Sequence, residues 1–359
     1  MNNTVRQGMQ KNRKSDSVYQ TLRQEIIDLP PGTPIPSVRE LMRRLEVSQI
    51  TVTRALKLLK EEGLVEAQVG QGSFRSGLCN GVVRRRLVML TGNYMSSFEM
   101  EMRRVFQQYF ERNGYIFELM VYDHRHIRLE PEAIRGTAAD AVIFNLNQDF
   151  TPELITQVAG LKLPLVFIDI MPQTLPLDAV CTDNELAGAM VANCFLQNGH
   201  RKCAMLQAMP EFHSVISRRR SFLRQLQLAG YAGKLIDCHT RSGENSTENA
   251  YRAFCEYVRE NGCDFTALFC DNDLGALGVL KACHDLGIEV PKDLSVIGFD
   301  NLVECGYFQP SLSSVDQNVA EWAAETEKIL KARFLNDGRR SIQSCVAPKL
   351  ILRDSMSSI

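Results

Sequence analysis

The sequence predicts a multidomain chain: a small α+β head followed by a larger two-lobed α/β body. Three observations predict it. Within residues 15–75, apolar side chains recur at helical spacing in three stretches, and two short runs joined by a glycine turn follow. From residue 87 the texture changes to short β-rich apolar runs separated by helical stretches. Charge divides at the same place. Residues 1–86 hold 15 of the 41 Lys and Arg but 8 of the 42 Asp and Glu, leaving 26 against 34 beyond, in a chain of formal net charge −1. A basic front on an acidic remainder points to a polyanionic partner for the front alone.

Residues 1–14 are polar and basic, and read as a flexible arm. Val18, Leu22 and Ile26 then share one face of a first helix, which must stop at Leu29 because Pro30, Pro31, Pro34 and Pro36 follow. A second helix starts at Ser37, with Glu40 placed to complete a capping box and Val38, Leu41, Met42 and Leu45 inward. Ser48 can cap a third, with Val52, Ala55, Leu56 and Leu59 inward and Gly63 as its stop. The runs LVEAQV and SFRS, joined by Gly70, Gln71 and Gly72, make a two-stranded wing. This order is a winged helix-turn-helix over residues 15–75, and residues 76–86 read as a linker.

In such a head the third helix enters the major groove by its N-terminal residues. Here these are Ser48, Gln49, Ile50, Thr51, Thr53 and Arg54. Gln49 can bridge adenine, the threonines can donate or accept, and Arg54 can reach guanine or phosphate. Arg39, in the first turn of the second helix, can share a phosphate with the helix N-terminus. Gly70 and Gln71 lie at the wing tip, where the backbone can approach DNA closely. Winged helices also serve protein contacts, and Arg39 or Arg54 could instead pair with Glu40 or Glu61 on a solvated face.

The stretch PGTPIPSVRELMRRLEVSQITVTRALKLLKEEGLVEAQVGQGSF resembles the GntR-type winged helix over roughly 60 residues. The resemblance rests on P-S-x-R-E-L, V-S-x-x-T-V-x-R-A-L, E-G-L-V and G-x-G-x-F. It implies that Arg39, Ser48, Thr51 and Gly70 fall where such heads touch DNA. Gln49 and Thr53 stand where an Arg is common, and Gln71 replaces the usual wing Lys, which implies weaker phosphate anchoring and a shallower salt dependence.

In the body, nine runs from RLVML to LSVIGFD read as strands, most of them apolar on both faces as in a buried parallel sheet. That number exceeds one sheet of ordinary size, so two lobes are expected. Ligands bind beyond the C-terminal ends of such strands. There stand Asp169 after LPLVFI, Asn272 and Asp273 after TALFCD, and Asp300 and Asn301 at the end of LSVIGFD, with Arg218 on a helix after KCAMLQ. Carboxylates, an amide and a guanidinium suit a polyhydroxylated guest, and Phe98 or Phe308 could stack on its ring. Strand-end Asp and Asn also cap helices, so each has a structural alternative.

Residues 87–359 resemble the LacI/GalR-type ligand-binding domain, of the type I periplasmic-binding-protein fold, through PLVFID, GHRKCAML, ALFCDNDLGALGVLKACHDLGIEVPKDLSVIGFDN, PSLSSV and LILRDS. The resemblance implies an N-lobe of about 87–181 and 319–346 and a C-lobe of about 182–318 and 347–359, crossing near Cys181–Asp183, Asp316–Val319 and Cys345–Ala347. It puts Asp169, Arg218, Asn272 and Asp300 at effector-contacting positions, with Phe98 near the aromatic contact of the N-lobe; Ser221 departs from the usual Gly. A GntR-type head on a LacI-type sensor is similar to the arrangement of the arabinose-responsive AraR regulators. That implies a homodimer on double-stranded operator DNA, repressing carbohydrate-use genes under control of a small-molecule effector, with a sugar expected and a nucleoside or other metabolite as the alternative.

Eleven Cys without a C-x-x-C pair suit a reducing compartment, and with no apolar leader or 18-residue apolar run the chain is expected to be cytoplasmic and free of membrane. No nucleotide-binding glycine motif, nucleophile elbow or metal-ligand spacing occurs, so neither catalysis, metal nor cofactor is expected, and an α/β enzyme is the distant rival. An extracellular binding protein is disfavoured by the head and the polar start.

Overall fold

The computed structural model describes residues 18–359 apart from 24, 27–28, 31, 69–71, 77–83, 94–95, 123–133, 135, 146–155, 158–159, 173–174, 242 and 336–339. The expected arm, the wing tip with Gly70 and Gln71, and most of 76–86 lie outside the described residues. The chain divides into two compact units, 1–93 with 107–144 and 150–165, and 94–106 with 145–149 and 166–359.

The first unit begins with the head. Residues 18–23 and 25–26 are helical. They are followed by β1 (Pro34–Ile35), α1 (Val38–Leu45), α2 (Gln49–Glu61), β2 (Val65–Gln68) and β3 (Gly72–Arg75). Val18, Tyr19, Leu22, Ile26, Leu41, Val52, Ala55 and Leu59 form its core, as the 3.6-residue period requires. The wing pairs antiparallel, Val65 opposite Arg75. A third strand was hidden by its prolines: β1 lies at the sheet edge against β3, Pro34 opposite Phe74. An edge tolerates the missing proline N–H.

The rest of this unit holds β4 (Arg86–Gly92), β5 (Ile116–Tyr122) and β6 (Ala141–Asn145), with β4 parallel to both others. All seven residues of β4 are buried, which explains its unbroken apolar run. Helix α3 (Ser97–Arg112) separates β4 from β5 in sequence.

The second unit contributes, in chain order, β7 (Leu165–Ile168), β8 (Asp178–Thr182), α4 (Asn184–Gln197), β9 (Cys203–Gln207), α5 (His213–Leu228), β10 (Lys234–Asp237), α6 (Ser246–Asn261), β11 (Ala267–Cys270), α7 (Asp273–Leu286) and β12 (Ser295–Phe299). A 3₁₀ turn (Val303–Gly306), β13 (Ser313–Asp316), α8 (Val319–Phe334), β14 (Gln343–Val346) and β15 (Lys349–Ile351) complete it. Two six-stranded sheets result, in the orders β14-β8-β7-β6-β4-β5 and β10-β9-β11-β12-β13-β15.

Period-two alternation sorts the second sheet's core. Ala204 and Leu206 of β9 enter one apolar cluster, and Cys203 and Met205 the opposite one. Gly188 lets α4 lie close on α5, because a Cβ there would strike the Arg218 carbonyl. The nine strand readings hold, and β13, β14 and β15 add to them. β13 and β14 are short and mostly polar in sequence, and β15 is only 3 residues long. Ser313 and Ser314 of β13 are nevertheless fully buried, because Ser355 Oγ accepts from the Ser313 N–H (2.8 Å) and Asp273 accepts from the Ser314 hydroxyl (2.7 Å). No helix of the described residues is long and apolar enough to cross a membrane.

Candidate functional site

The head presents the first turn of α2 to solvent. Ser37 and Glu40 form the reciprocal capping box that starts α1, and the turn after it ends with Glu46 in a left-handed conformation at φ 51°. Ser48 caps α2 by accepting from the Thr51 N–H (3.4 Å), and its hydroxyl also meets the Thr51 hydroxyl at 2.9 Å. That pair fixes the helix start and leaves Gln49, Thr53, Arg54 and the neighbouring Arg39 exposed, with Thr51 half-buried. Ile50, for which the sequence suggested no specific base contact, is 77% exposed in the same turn. An exposed aliphatic side chain there matches the thymine methyl in the major groove.

At its other end α2 is tied to the body strands of the same unit. The wholly buried Glu62, its C-cap, accepts from Arg23 Nε at 3.0 Å. Arg23 also reaches the Asp140 carboxylate at 3.0 Å, and Asp140 accepts from the Arg86 N–H (2.8 Å) and from Arg85 (3.3 Å). Arg86 in turn pairs with Glu118 of β5. Ala138 packs into the head's apolar core. Burial, and secondarily the nearby Asp140, push the Glu62 carboxyl up to about 8.

In the second unit the polar strand ends gather around Arg218. This side chain is 5% exposed on α5. It donates to Asn184 Oδ1 from Nε (3.2 Å) and from a terminal nitrogen (2.9 Å), and the other terminal nitrogen donates to the Asp271 carbonyl. Its guanidinium lies 3.1 Å from the Phe299 ring centroid. Burial brings it down to about 10, so it stays cationic at neutral pH. The charges acting on it are Asp300, Asp271, Asp169 and Asp273.

Those four carboxyls are not equivalent. Asp271 accepts from the Ala208 and Met209 N–H groups (2.9 and 3.0 Å), and Asp273 from the Leu302 N–H (2.8 Å), Ser314 and Cys305. Burial pushes both up to about 6. Asp169 and Asp300 are half-buried and retain acceptor capacity. Asp169 is pushed up to about 7, by burial first and by Glu99 second, with Arg218 opposing. Asp300 is raised well above the usual carboxylate range by burial and by Asp273. Near neutral pH the Asp169 carboxyl can therefore both accept and donate. Backbone strain collects at the same place: Asp169 (φ 62°), Asp300 (φ 114°) and Asn301 (φ 51°) are non-glycine residues in the positive-φ region.

Asp300 is further linked to the segments that join the sheets. It accepts from Gln317 Nε2 at 2.8 Å, and the Thr182 hydroxyl donates to Gln317 Oε1 at 3.0 Å. Of the expected effector residues, Asp169, Arg218 and Asp300 share one electrostatic cluster. Asn272 takes the capping role: it accepts from the Gly275 N–H at 2.8 Å, and its amide donates to Ser246. Asn301 likewise bonds Asp316 and Arg353. Phe98 is half-buried with its ring edge-on to Trp322 at 6.2 Å, and among the described residues no ring contact joins Phe308 to the cluster. Sequence reasoning missed Glu99, Asn145, Asn184 and Gln317. Glu99 is buried and accepts from Asn145 Nδ2 at 2.8 Å. Asn145 ends β6, so the strand-end rule applied to AVIFN would have found it.

Residues 14–74 match the bacterial regulatory proteins of the gntR family, and residues 192–356 match the periplasmic binding protein-like domain. An "HTH-type transcriptional repressor PurR" of Histophilus somni is 27% identical over 198 residues, 55% of this chain and 58% of the relative's length. The match therefore spans less than two thirds of that relative. A protein of the same description from Vibrio vulnificus is 26% identical over 320 residues, 87% of this chain and 92% of that one. A LacI family transcriptional regulator from Enterococcus faecium, solved with bound ribose, is similar with a TM-score of 0.65 at 20% identity, over 77% of this chain and 100% of that one. At that identity the likeness is one of fold, and it agrees with the two-sheet body.

Proposed function

We propose that this chain, a gntR-type winged helix joined to a periplasmic-binding-protein-like domain, is a DNA-binding transcriptional repressor controlled by a small polar effector. Residues 15–75 read the operator and residues 87–359 sense the effector; the chain works as a homodimer in the cytoplasm on two half-sites and performs no catalysis. The exposed first turn of α2, held by the Ser48–Thr51 cap, carries the reading: Gln49, Thr51, Thr53 and Arg54 face base edges while Arg39 and the wing tip meet phosphate. The names of the matched relatives support repression.

Arg218, Asp169 and Asp300 form the core of the effector site, with Phe98 beside it and Asn272 and Phe308 completing its rim. The Arg218 guanidinium donates and the Asp169 and Asp300 carboxyls accept, which suits the adjacent hydroxyls of a sugar. The ribose in the E. faecium structure is of that class. A nucleoside is the second reading, because half-buried Phe98 offers a ring for a flat base. Effector at Asp300 acts on Gln317 and Thr182, hence on the segments crossing between the sheets, and a coupling of ~1–3 kcal/mol changes operator affinity roughly 5- to 150-fold.

Retention of fragments upstream of its own and adjacent genes at low salt tests the DNA half, and absence of any specific retention overturns it. Thermal-shift screening against pentoses, hexoses and nucleosides tests the effector half, since a bound ligand stabilises by RT ln(1 + [L]/Kd).

A further inference from the structure

Two cysteines stand outside the functions described so far. Strands β8 and β14 are parallel neighbours, and their register sets Cys181 directly opposite Cys345. Directly opposed residues project to the same face of a sheet, at a Cα spacing of about 4.8 Å, within the roughly 4.4–6.8 Å range of disulfides. Both thiols are free, and each shifts the titration of the other. β14 is the outermost strand of its sheet, so Cys345 is exposed while Cys181 beneath it is buried.

The pair occupies a mechanically sensitive place. After Cys181 the chain runs through Thr182 to Asp183, which caps α4; after Cys345 it runs through Val346 to β15 of the other sheet. The Asp183 N–H donates to the Val346 carbonyl at 2.8 Å, so the two departing segments are already paired. On the inner side, the Asp169 N–H donates to the Val180 carbonyl at 3.0 Å, one residue from Cys181.

We propose that Cys181 and Cys345 form a reversible disulfide when the protein meets a hydroperoxide, making the crossing segments of the sensor a redox-sensitive clasp. The Cys345 thiolate attacks the terminal oxygen of ROOH. A sulfur–oxygen bond forms, the oxygen–oxygen bond breaks, and the alkoxide leaves as ROH, giving Cys345 sulfenic acid. The Cys181 thiol then attacks that sulfur; the disulfide forms, the sulfur–oxygen bond breaks, and hydroxide leaves with the Cys181 proton as water. The thiols lose two electrons and two protons, which the hydroperoxide takes up. A dithiol reverses the reaction by exchange.

The division of labour follows from the surroundings. The side chain of Cys181 lowers the Cys345 thiol to about 7, against the opposing effects of its partial burial and of Asp183 and Glu185, and Cys345 in turn pushes the Cys181 thiol up. Low pKa and exposure together mark an attacking cysteine, and a buried neighbour serves as the resolving one. The other described exposed cysteine, Cys263, has its thiol pushed up by burial. Intracellular disulfides of this transient kind are typically sensors.

The clasp stands or falls independently of DNA binding. Full-length protein is treated with a few equivalents of hydrogen peroxide, alkylated, and mapped by mass spectrometry with and without dithiothreitol. The expected product is an intramolecular Cys181–Cys345 disulfide that dithiothreitol removes, with Cys345 alkylated on the order of tenfold faster than Cys263 in untreated protein. Cys181→Ser is expected to hold Cys345 as a dimedone-reactive sulfenic acid, and Cys345→Ser to leave Cys181 unmodified. Oxidation of Cys345 while Cys181 remains free, a Cys345 disulfide between two chains, or a Cys345 no faster than Cys263 would each overturn the proposal.

Discussion

Arg23, in the first helix of the head, holds the carboxylate of Asp140 at 3.0 Å, immediately before β6. Through Nε it also holds Glu62 at the end of α2, so one buried guanidinium joins the helix proposed to read DNA to the body strands of its unit. This tie can be tested, as can the two proposed sites.

Asp140→Ala removes the acceptor for Arg23, Arg85 and the Arg86 N–H. Leaving Arg23 buried and half-paired is expected to cost on the order of 3–5 kcal/mol in chemical denaturation of the full chain. The double variant Arg23→Met with Asp140→Leu should recover part of that. A single-variant loss below about 1 kcal/mol would show the pair to be solvated.

The pH dependence should run against the usual carboxylate trend. Glu62 titrates at about 8 in the folded chain against 4.5 when free, so the native state holds the proton more tightly between those values. Its contribution is full below pH ~4.5 and is lost as pH rises through 8. Asp271 and Asp273, at about 6, and Asp169, at about 7, act in the same direction. Thermal melts between pH 5.5 and 8.5 should show Tm falling, with a smaller slope in Glu62→Gln. An unchanged slope in that variant would remove Glu62 from the account.

Arg218→Ala is expected to abolish the thermal shift caused by effector while operator retention persists. It also strands the Asp271 carbonyl and Asn184, at a cost of about 1–3 kcal/mol, so the milder Arg218→Lys is measured beside it. Full effector affinity in both variants would place the site elsewhere.

Gln49→Ala and Ile50→Ala alter exposed side chains and should leave Tm unchanged. Each should weaken operator binding by about 1–3 kcal/mol while random DNA is bound as before. Thr51→Ala, which also breaks the Ser48 pairing, should lose specific more than non-specific binding and lower Tm as well. Equal losses on operator and random DNA would make these residues backbone contacts.

The head was legible because its signals are local: Ser37 finds Glu40 and Ser48 finds Thr51, three residues apart. Arg23 carries no local signal, because its partners lie 39 and 117 residues away. β13 was invisible for the same reason, its serines being satisfied by Asp273 and Ser355 about 40 residues distant. At the proposed effector site the strand-end rule pointed to Asp169 and Asp300, whose unusual backbone angles set them apart. It could not separate them from Asn272, which caps a helix in the ordinary way. Asn184 and Gln317 escaped because their roles depend on which distant side chain lies opposite.

The seating of Ala138 in the head's apolar core bears on protein engineering. A chimaera that grafts this head onto a foreign sensor by cutting at residues 76–86 would sever it from Ala138 and Asp140 together. Portable modules would have to carry both residues across, or replace Arg23 and Glu62 with an aliphatic pair, before the transplanted reader could fold as firmly as it does here.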